Sequence, residues 1–212
     1  MICTRCCGFY EFFNDKAAAR ELKRYRRRGP IPTTRLLIDA LKAQGAQGAT
    51  LLDIGGGIGA IQHELMKAGA AAALDVDGSA AYLAAAREEA QRQGYAERAR
   101  YLHADFVDVA GKVEPADIVT LDRVICCYPD MEALVSRSAA RARVVYALAY
   151  PRPIRLVKLL LPLLNLVYRI RRCALRMYLH PPADVDRLVQ AAGFTLRSRE
   201  HTLLWEIAVY RK

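Results

Sequence analysis

Residues 50–59 read TLLDIGGGIG: a short apolar run, an acidic residue, and glycines at positions 55, 56, 57 and 59. A helical pattern, IGAIQHELMKAG, follows over residues 58–69. Short apolar runs that end in glycine are typical of buried strands, and glycines in the following turn allow a ligand to approach the backbone closely. This stretch predicts a strand, a tight turn and a helix, with a candidate ligand site at the turn.

The alternation of strand and helix continues along the chain. Apolar runs at 71–77, 99–106, 116–122 and 143–151 predict further strands, and 79–94 predicts a strong helix. This order predicts an α/β fold with a doubly wound, mostly parallel sheet. Residues 194–212 predict an antiparallel hairpin at its end, and 15–28 and 33–45 predict N-terminal helices.

The length of 212 residues and the 53% hydrophobic content suit one domain over 1–212. We expect a helical cap at 1–45 and a lid-like insertion at 151–180, which is apolar and basic. The net charge of +10 favours an anionic partner. Six cysteines without a regular framework, and an N-terminus without a signal pattern, favour the cytoplasm. Peripheral contact at the inner membrane surface is compatible with this location.

Acidic residues stand at the ends of successive predicted strands. Asp53 precedes the glycines, where an acid suits an ammonium group better than a pyrophosphate. Asp77, which lies 24 residues later, can accept both hydroxyls of a ribose, with Asp75 as the alternative. Asp105 and Asp122 follow at the ends of the third and fourth strands. Ligands bind at this edge of a parallel sheet, so we expect one shared site.

With these motifs, residues 50–150 resemble the class I S-adenosylmethionine (SAM)-dependent methyltransferases. LLDIGGGIG resembles the first motif of that family, LDVDGSAAYLAAAREEA its ribose-binding strand and helix, HADF its adenine-side motif, and DIVTLDRVICCYPD its fourth strand. The resemblance implies SAM as cofactor and a Rossmann-like fold. The implied cofactor-binding residues are Asp53, Gly55, Gly56, Gly57, Asp77, Gly78, Asp105, Phe106 and Asp122. No metal is expected.

Within this family, LHPPADVDRLVQAAGF at 179–194 and the strands after it are loosely similar to magnesium-protoporphyrin O-methyltransferases. We therefore expect methyl transfer to a heteroatom, with oxygen favoured, of a small and fairly apolar molecule. Candidates for a general base or an acceptor-side group are His180, Tyr128 and Cys127, with His180 first. His103 and His201 are further histidines of this kind.

Three alternatives remain open. A thiol or metalloid methyltransferase would use the Cys126–Cys127 region, since thiols bind soft acceptors. An RNA-binding methyltransferase, or a binding module without turnover, would use the basic helix, but Tyr25 is its one aromatic residue and nucleic acid is disfavoured. A nicotinamide-dependent oxidoreductase fits least well. The Cys3, Cys6 and Cys7 cluster is interpreted as incidental thiols rather than a metal site.

Residues 156–168, LVKLLLPLLNLVY, are too few to span a bilayer. They could form a buried helix, a substrate lid or an interfacial helix, since basic residues flank them. We favour the lid, with Pro162 bending or starting a helix.

Overall fold

The computed structural model describes residues 12–171, 173 and 175–212. Within them, seven strands form one sheet in the order β3-β2-β1-β4-β5-β7-β6. The strands are β1 Thr50–Ile54, β2 Ala72–Asp77, β3 Ala99–His103, β4 Ala116–Asp122, β5 Ala142–Pro151, β6 Thr195–His201 and β7 Trp205–Arg211. β1 to β5 pair in parallel, and β7 pairs antiparallel with both β5 and β6. The expected α/β fold with an antiparallel C-terminal hairpin is confirmed.

Helices flank the sheet on both faces. They are α1 Asp15–Arg28, α2 Pro32–Ala43, α3 Ala60–Lys67, α4 Ala80–Arg92, the single turn α5 Phe106–Val109, α6 Met131–Ala139, α7 Arg155–Ile170 and α8 Pro182–Ala191. Alternate residues of β4 point into two separate cores: Ile118 packs with α2 and α3, whereas Val119 and Leu121 pack with α6 and α8. This two-sided burial explains why the central strands read as nearly continuous apolar runs.

α1 closes one end of this arrangement. Its Leu22 and Tyr25 pack against Ile58 and Tyr82, which belong to the glycine turn and to α4. The Tyr25 hydroxyl donates to Glu64 in α3 at 2.8 Å. The N-terminal helices are therefore fixed next to the carboxyl ends of β1 and β2.

Asn14 caps α1, because its side chain accepts from the N–H of Ala17. The element boundaries differ in places from the sequence predictions. α2 begins at Pro32 rather than at residue 33, since proline suits the first position of a helix. β3 ends at His103, so Asp105 does not end a strand but caps α5. The cysteines at 3, 6 and 7 lie outside the described residues.

The segment from 151 to 180 contains α7, which continues through Pro162. Only Val157 of this helix is buried, so the interpretation as a buried helix is wrong. Tyr168 faces inward and lines the cavity described below, whereas most of the leucines are exposed. The function of α7 as a lid stays a prediction.

Candidate active site

A cavity of about 350 Å³ lies at the carboxyl edge of the sheet, at the β1–β4 junction where the strand order reverses. Ligands of open α/β sheets bind at this position. The glycine turn, the ends of β2 and β4 and the segment after β3 form one part of its wall. The other part is mostly apolar and consists of Phe12, Phe13, Leu134, Tyr168, Leu175, Met177 and Trp205 with the two cysteines after β4.

The glycine turn brings the backbone directly to the cavity. Gly55 and Gly57 have φ values of 65° and 61°, a region that favours glycine. At Gly56 the constraint is steric, because an added Cβ would lie 2.7 Å from Oδ2 of Asp53 and 2.8 Å from Oδ1 of Asp75. All three glycines line the cavity. These three glycines therefore present backbone without side chains to the cavity, and we call this surface the cradle.

Two carboxylates are buried directly beneath this turn. Asp53 accepts from the hydroxyl of Thr120 at 2.7 Å, and Asp75 accepts from the side chain of Gln62 at 3.0 Å. Oδ2 of Asp53 has no hydrogen-bond partner within the described part of the chain. Burial raises the pKa of Asp53 to about 7, and burial also raises the pKa of Asp75. Neither carboxylate belongs to the described residues that line the cavity. Both therefore lie behind the turn and not in the cavity wall.

Asp77 lies in the wall of the cavity beside Gly78. Its Oδ2 accepts from the N–H of Gly57 at 3.0 Å, and its Oδ1 accepts from the N–H of Ser79 at 2.7 Å. Burial raises the pKa of Asp77, while these two N–H donors oppose the rise. Asp77 therefore joins the glycine turn to the start of α4 and still presents carboxylate oxygen to the cavity.

Asp122 ends β4 on the opposite side of the turn, also in the wall. Its Oδ2 accepts from the hydroxyl of Thr34 in α2 at 2.5 Å, and Nε of Arg123 lies 3.5 Å from the same oxygen. Arg123 has φ 62°, an unusual conformation for a residue with a side chain. Strained backbone of this kind clusters at functional sites because the surrounding structure must hold it in place.

Asp105 and Phe106 line the cavity after β3. The Tyr128 hydroxyl donates to the Asp105 carboxylate, with both oxygens at 2.9 Å. Tyr128 also lines the cavity. Its hydrogen bond to Asp105 holds the segment after β3 in place. Sequence reasoning placed these residues in one site but did not find this contact, since 23 positions separate them.

Three sulfur atoms meet in the apolar part of the wall. Sγ of Cys127 lies 3.6 Å from Sγ of Cys126 and 3.3 Å from Sδ of Met177. The hydrogen bond from Cys126 lowers the pKa of Cys127, and the same contact raises the pKa of Cys126. Both thiols line the cavity. The two thiols and the thioether together form a sulfur-rich group in this part of the wall.

His180 is half-buried, and its Nε2 lies 2.9 Å from the carbonyl oxygen of Ile125. Burial lowers the pKa of His180, so the ring is neutral near pH 7. It does not belong to the described residues that line the cavity. The structure therefore places the first-named base candidate behind the wall, attached to the turn that carries the two cysteines.

Sequence reasoning missed several residues of the cavity. Glu21 and Arg24 come from α1, Thr34 from α2, and Tyr82 from α4. No local motif marks them, because α1 and α2 reach the cavity only through tertiary packing. The amphipathic pattern of α1 was the one available signal, since it predicts a buried face without saying what that face covers. The cofactor-binding and catalytic roles named in the sequence analysis stay predictions.

Comparisons with known proteins agree with this geometry. Residues 52–143 match the sequence model of the family described as "Methyltransferase domain". The ribosomal protein L11 methyltransferase of Pectobacterium carotovorum is 36% identical over 93 residues, which cover 43% of this chain and 32% of that protein. The chain thus spans about a third of the length of the curated relatives that it matches.

Solved structures share the fold over nearly the whole chain. Magnesium protoporphyrin IX methyltransferase from Synechocystis PCC 6803, crystallised with bound SAH (S-adenosylhomocysteine), has 19% identity and a TM-score of 0.72, covering 95% of this chain and 99% of that chain. Mitomycin 7-O-methyltransferase has 19% identity and a TM-score of 0.68, covering 96% and 60%. An O-methyltransferase family 2 protein from Planctomyces limnophilus, in complex with apigenin, has 16% identity and a TM-score of 0.69, covering 94% and 62%.

The strand order and the cradle at the β1–β4 junction give the fold that these solved methyltransferases share. More particularly, the match to the "Methyltransferase domain" model begins within β1, includes the glycine turn and ends at the start of β5.

Proposed function

We propose that this protein transfers a methyl group from SAM to a heteroatom, with oxygen favoured, of a small and fairly apolar acceptor. One observation carries the proposal: a single cavity joins the acid-flanked glycine cradle to a wall of aromatic, leucine and sulfur-containing side chains. A polar, cationic cofactor suits the first part and an apolar acceptor suits the second. Two of the similar solved structures are O-methyltransferases, which supports oxygen as the acceptor atom.

The residues present fit SAM. The ligand carries two positive charges, on the amine and the sulfur, and the wall offers the carboxylates of Asp77 and Asp122. The cradle at Gly56 has no room for a side chain, which fits close approach of a ligand to the backbone. Behind it, the buried carboxyl of Asp53 lies close to Gly56, and its Oδ2 has no hydrogen-bond partner among the described residues. We assign Asp77 to the ribose, Asp105 and Phe106 to the adenine side, and Asp122 to the methionine end.

When bound, SAM supplies a methyl group on a positively charged sulfur, which is already an activated leaving group. The chain's own work is then alignment of the acceptor and exclusion of water. Phe12, Tyr168 and Trp205 provide apolar surface for both tasks. The proton of Tyr128 is engaged with Asp105, so this hydroxyl is better suited to hold Asp105 than to deprotonate an acceptor.

A second candidate acceptor is a thiol or a metalloid. Sγ of Cys127 lies 3.6 Å from Sγ of Cys126 and 3.3 Å from Sδ of Met177, and soft acceptors bind such groups. The lowered pKa of Cys127 increases its thiolate fraction and hence its affinity for a soft ligand.

One experiment tests both candidates. The purified protein is first titrated with SAH, and with NADH as the negative control, and is then given SAM carrying a labelled methyl group. The acceptor panel contains apolar phenols and carboxylic acids, aliphatic thiols and arsenite. We expect SAH binding, no NADH binding, and label in the oxygen acceptors. Binding of NADH without SAH would refute the proposed reaction.

Cysteine variants separate the two acceptor classes. Cys126→Ser with Cys127→Ser should abolish methylation of a soft acceptor but leave methylation at oxygen within about threefold, since serine keeps most of the shape. Cys173→Ser is the matched control, because this thiol is half-buried and lies outside the described cavity wall. If label appears only in thiols or arsenite, and only with proteins that keep both cysteines, the acceptor is a soft atom and not oxygen.

A further inference from the structure

The outer face of α7 is an exposed apolar surface. Seven side chains form it, each between 41% and 72% exposed: Leu156, Leu159, Leu160, Leu163, Leu166, Val167 and Ile170. At 100° per residue they fall within one third of the helix circumference, so they are contiguous. Leu203, at 73%, and Leu204 are exposed at the β6–β7 turn, and the N–H of Arg152 donates to the carbonyl of Leu204. We call these nine residues the α7 surface.

The orientation of α7 is fixed from inside. The side chain of Asn165 makes two hydrogen bonds of 2.8 Å with the backbone of Met177, one to the carbonyl and one from the N–H. Val157 is buried and Tyr168 lines the cavity. The helix therefore cannot turn its leucines inward without breaking these contacts. A patch of this size on a soluble protein marks an interaction site.

The charges around the α7 surface indicate what kind of partner it binds. Residues 151–183 contain seven arginines and lysines and no aspartate or glutamate. Arg155, Lys158 and Arg169 are exposed along one border of the apolar face. A second copy of this surface would bring like charges together, whereas an anionic lipid headgroup layer would pair with them. An amphipathic helix with leucines on one face and basic residues at its border is typical of an interfacial helix.

We propose that the α7 surface docks onto an anionic lipid bilayer, with α7 lying in the plane of the interface. Its 16 residues give a length of about 24 Å. No helix in the described part of the chain is long and apolar enough to cross a membrane. The leucines enter the boundary between headgroups and acyl chains, and the basic residues remain among the phosphates. The inference does not depend on the acceptor of the methyl group.

Vesicle co-sedimentation tests the inference with the full chain. One set of vesicles contains phosphatidylcholine and phosphatidylglycerol in equal parts, and the other contains phosphatidylcholine alone. We expect binding to the anionic vesicles that weakens with added salt, and little binding to the neutral ones. Leu159→Ser with Leu163→Ser should weaken binding at least about tenfold, because two apolar side chains no longer enter the boundary between headgroups and acyl chains.

Matched controls separate docking from general effects. Leu102→Ser with Leu196→Ser removes two leucines that are 36% and 39% exposed on the two edge strands, away from α7, and should leave vesicle binding unchanged. Lys158→Glu with Arg169→Glu should reduce binding to anionic vesicles, whereas Lys23→Glu with Arg27→Glu changes the net charge equally on α1 and should have a smaller effect. Circular dichroism confirms that each variant is folded.

Three results would overturn the inference. The first is absence of binding by the unsubstituted protein at low salt. The second is an equal loss of binding in the leucine variant and its control. The third is a dimer in light scattering that the α7 leucine variant converts to a monomer, with no vesicle binding, which would assign the surface to a second copy of the chain.

Discussion

At the scale of single residues, Asp77 is the side chain whose replacement should weaken cofactor binding most directly. Asp77→Asn removes the charge, and its amide group cannot accept from both N–H donors of the turn. Hydrogen bonds to charged groups contribute about 1.5–3 kcal/mol, so we expect roughly a tenfold to hundredfold loss of SAH affinity by calorimetry. Asp108→Asn, an exposed carboxylate near the same edge, is the control. Unchanged affinity in a folded Asp77→Asn protein would refute the ribose assignment.

The buried Asp53 predicts an unusual dependence of stability on pH. The pKa of Asp53 is about 7 in the folded protein, whereas an ordinary aspartate has a pKa of 3.8, so between these pH values the folded state holds a proton that the unfolded state has lost. The stabilising contribution is complete below about pH 4 and declines as the pH rises towards 7. Asp53→Asn cannot titrate, so its unfolding free energy should fall less steeply over this range.

Urea unfolding at a series of pH values measures this difference. Asp39→Asn, which changes an exposed carboxylate on α2, is the matched control and should follow the parent protein. Parallel pH profiles for the parent and Asp53→Asn would mean that Asp75, rather than Asp53, holds the extra proton. Both carboxylates are fully buried beneath the turn, and burial together with the charge of Asp53 raises the pKa of Asp75.

Residue identities near the glycine turn could be predicted because strand ends meet at one edge of a parallel sheet. This rule placed Asp77, Asp105 and Asp122 in one wall. It could not distinguish a carboxylate in the wall from one behind it, which is why Asp53 was expected to receive the ligand directly. Nor could it find the bond from Thr34 to Asp122, since 88 positions separate the two residues.

At the scale of elements, the link between α7 and the segment after it should control the acceptor side of the cavity. Asn165→Ala removes both hydrogen bonds to Met177, at a cost of about 1–3 kcal/mol locally. We expect faster tryptic cleavage after Arg171 and Arg176, with SAH affinity nearly unchanged. Gln190→Ala, on the exposed face of α8, is the control. Equal cleavage rates would show that other contacts hold this segment.

The elements differ in how well the sequence specified them. Strands buried on both faces, such as β4 and β5, are continuous apolar runs and were located closely. α7 has the same apolar composition but is exposed, because its leucines have no partner element in the described chain. Composition alone does not separate these two situations, so the sequence of 156–168 is compatible with both a buried and an exposed helix.

At the scale of the whole molecule, the chain should unfold as one unit. α2 packs in a core that includes the sheet, and α1 packs on the glycine turn and α4, so neither N-terminal helix has a core of its own. We expect one thermal transition that is the same by circular dichroism and fluorescence. SAH at about 100 times its dissociation constant adds roughly 2.7 kcal/mol, which should raise Tm by about 5–10 °C. A first transition at lower temperature whose Tm does not change with SAH would show that part of the chain unfolds separately.

The chain contains one tryptophan, and its position has a practical consequence. Trp205 begins β7, lines the cavity, and directly follows the exposed Leu203 and Leu204. Its indole is therefore an intrinsic optical probe that needs no added label. A ligand that fills the cavity changes the emission of Trp205. Lipids carrying bromine quench this emission when the α7 surface docks on a bilayer. Two binding events can thus be followed through one signal, each with its own spectral response.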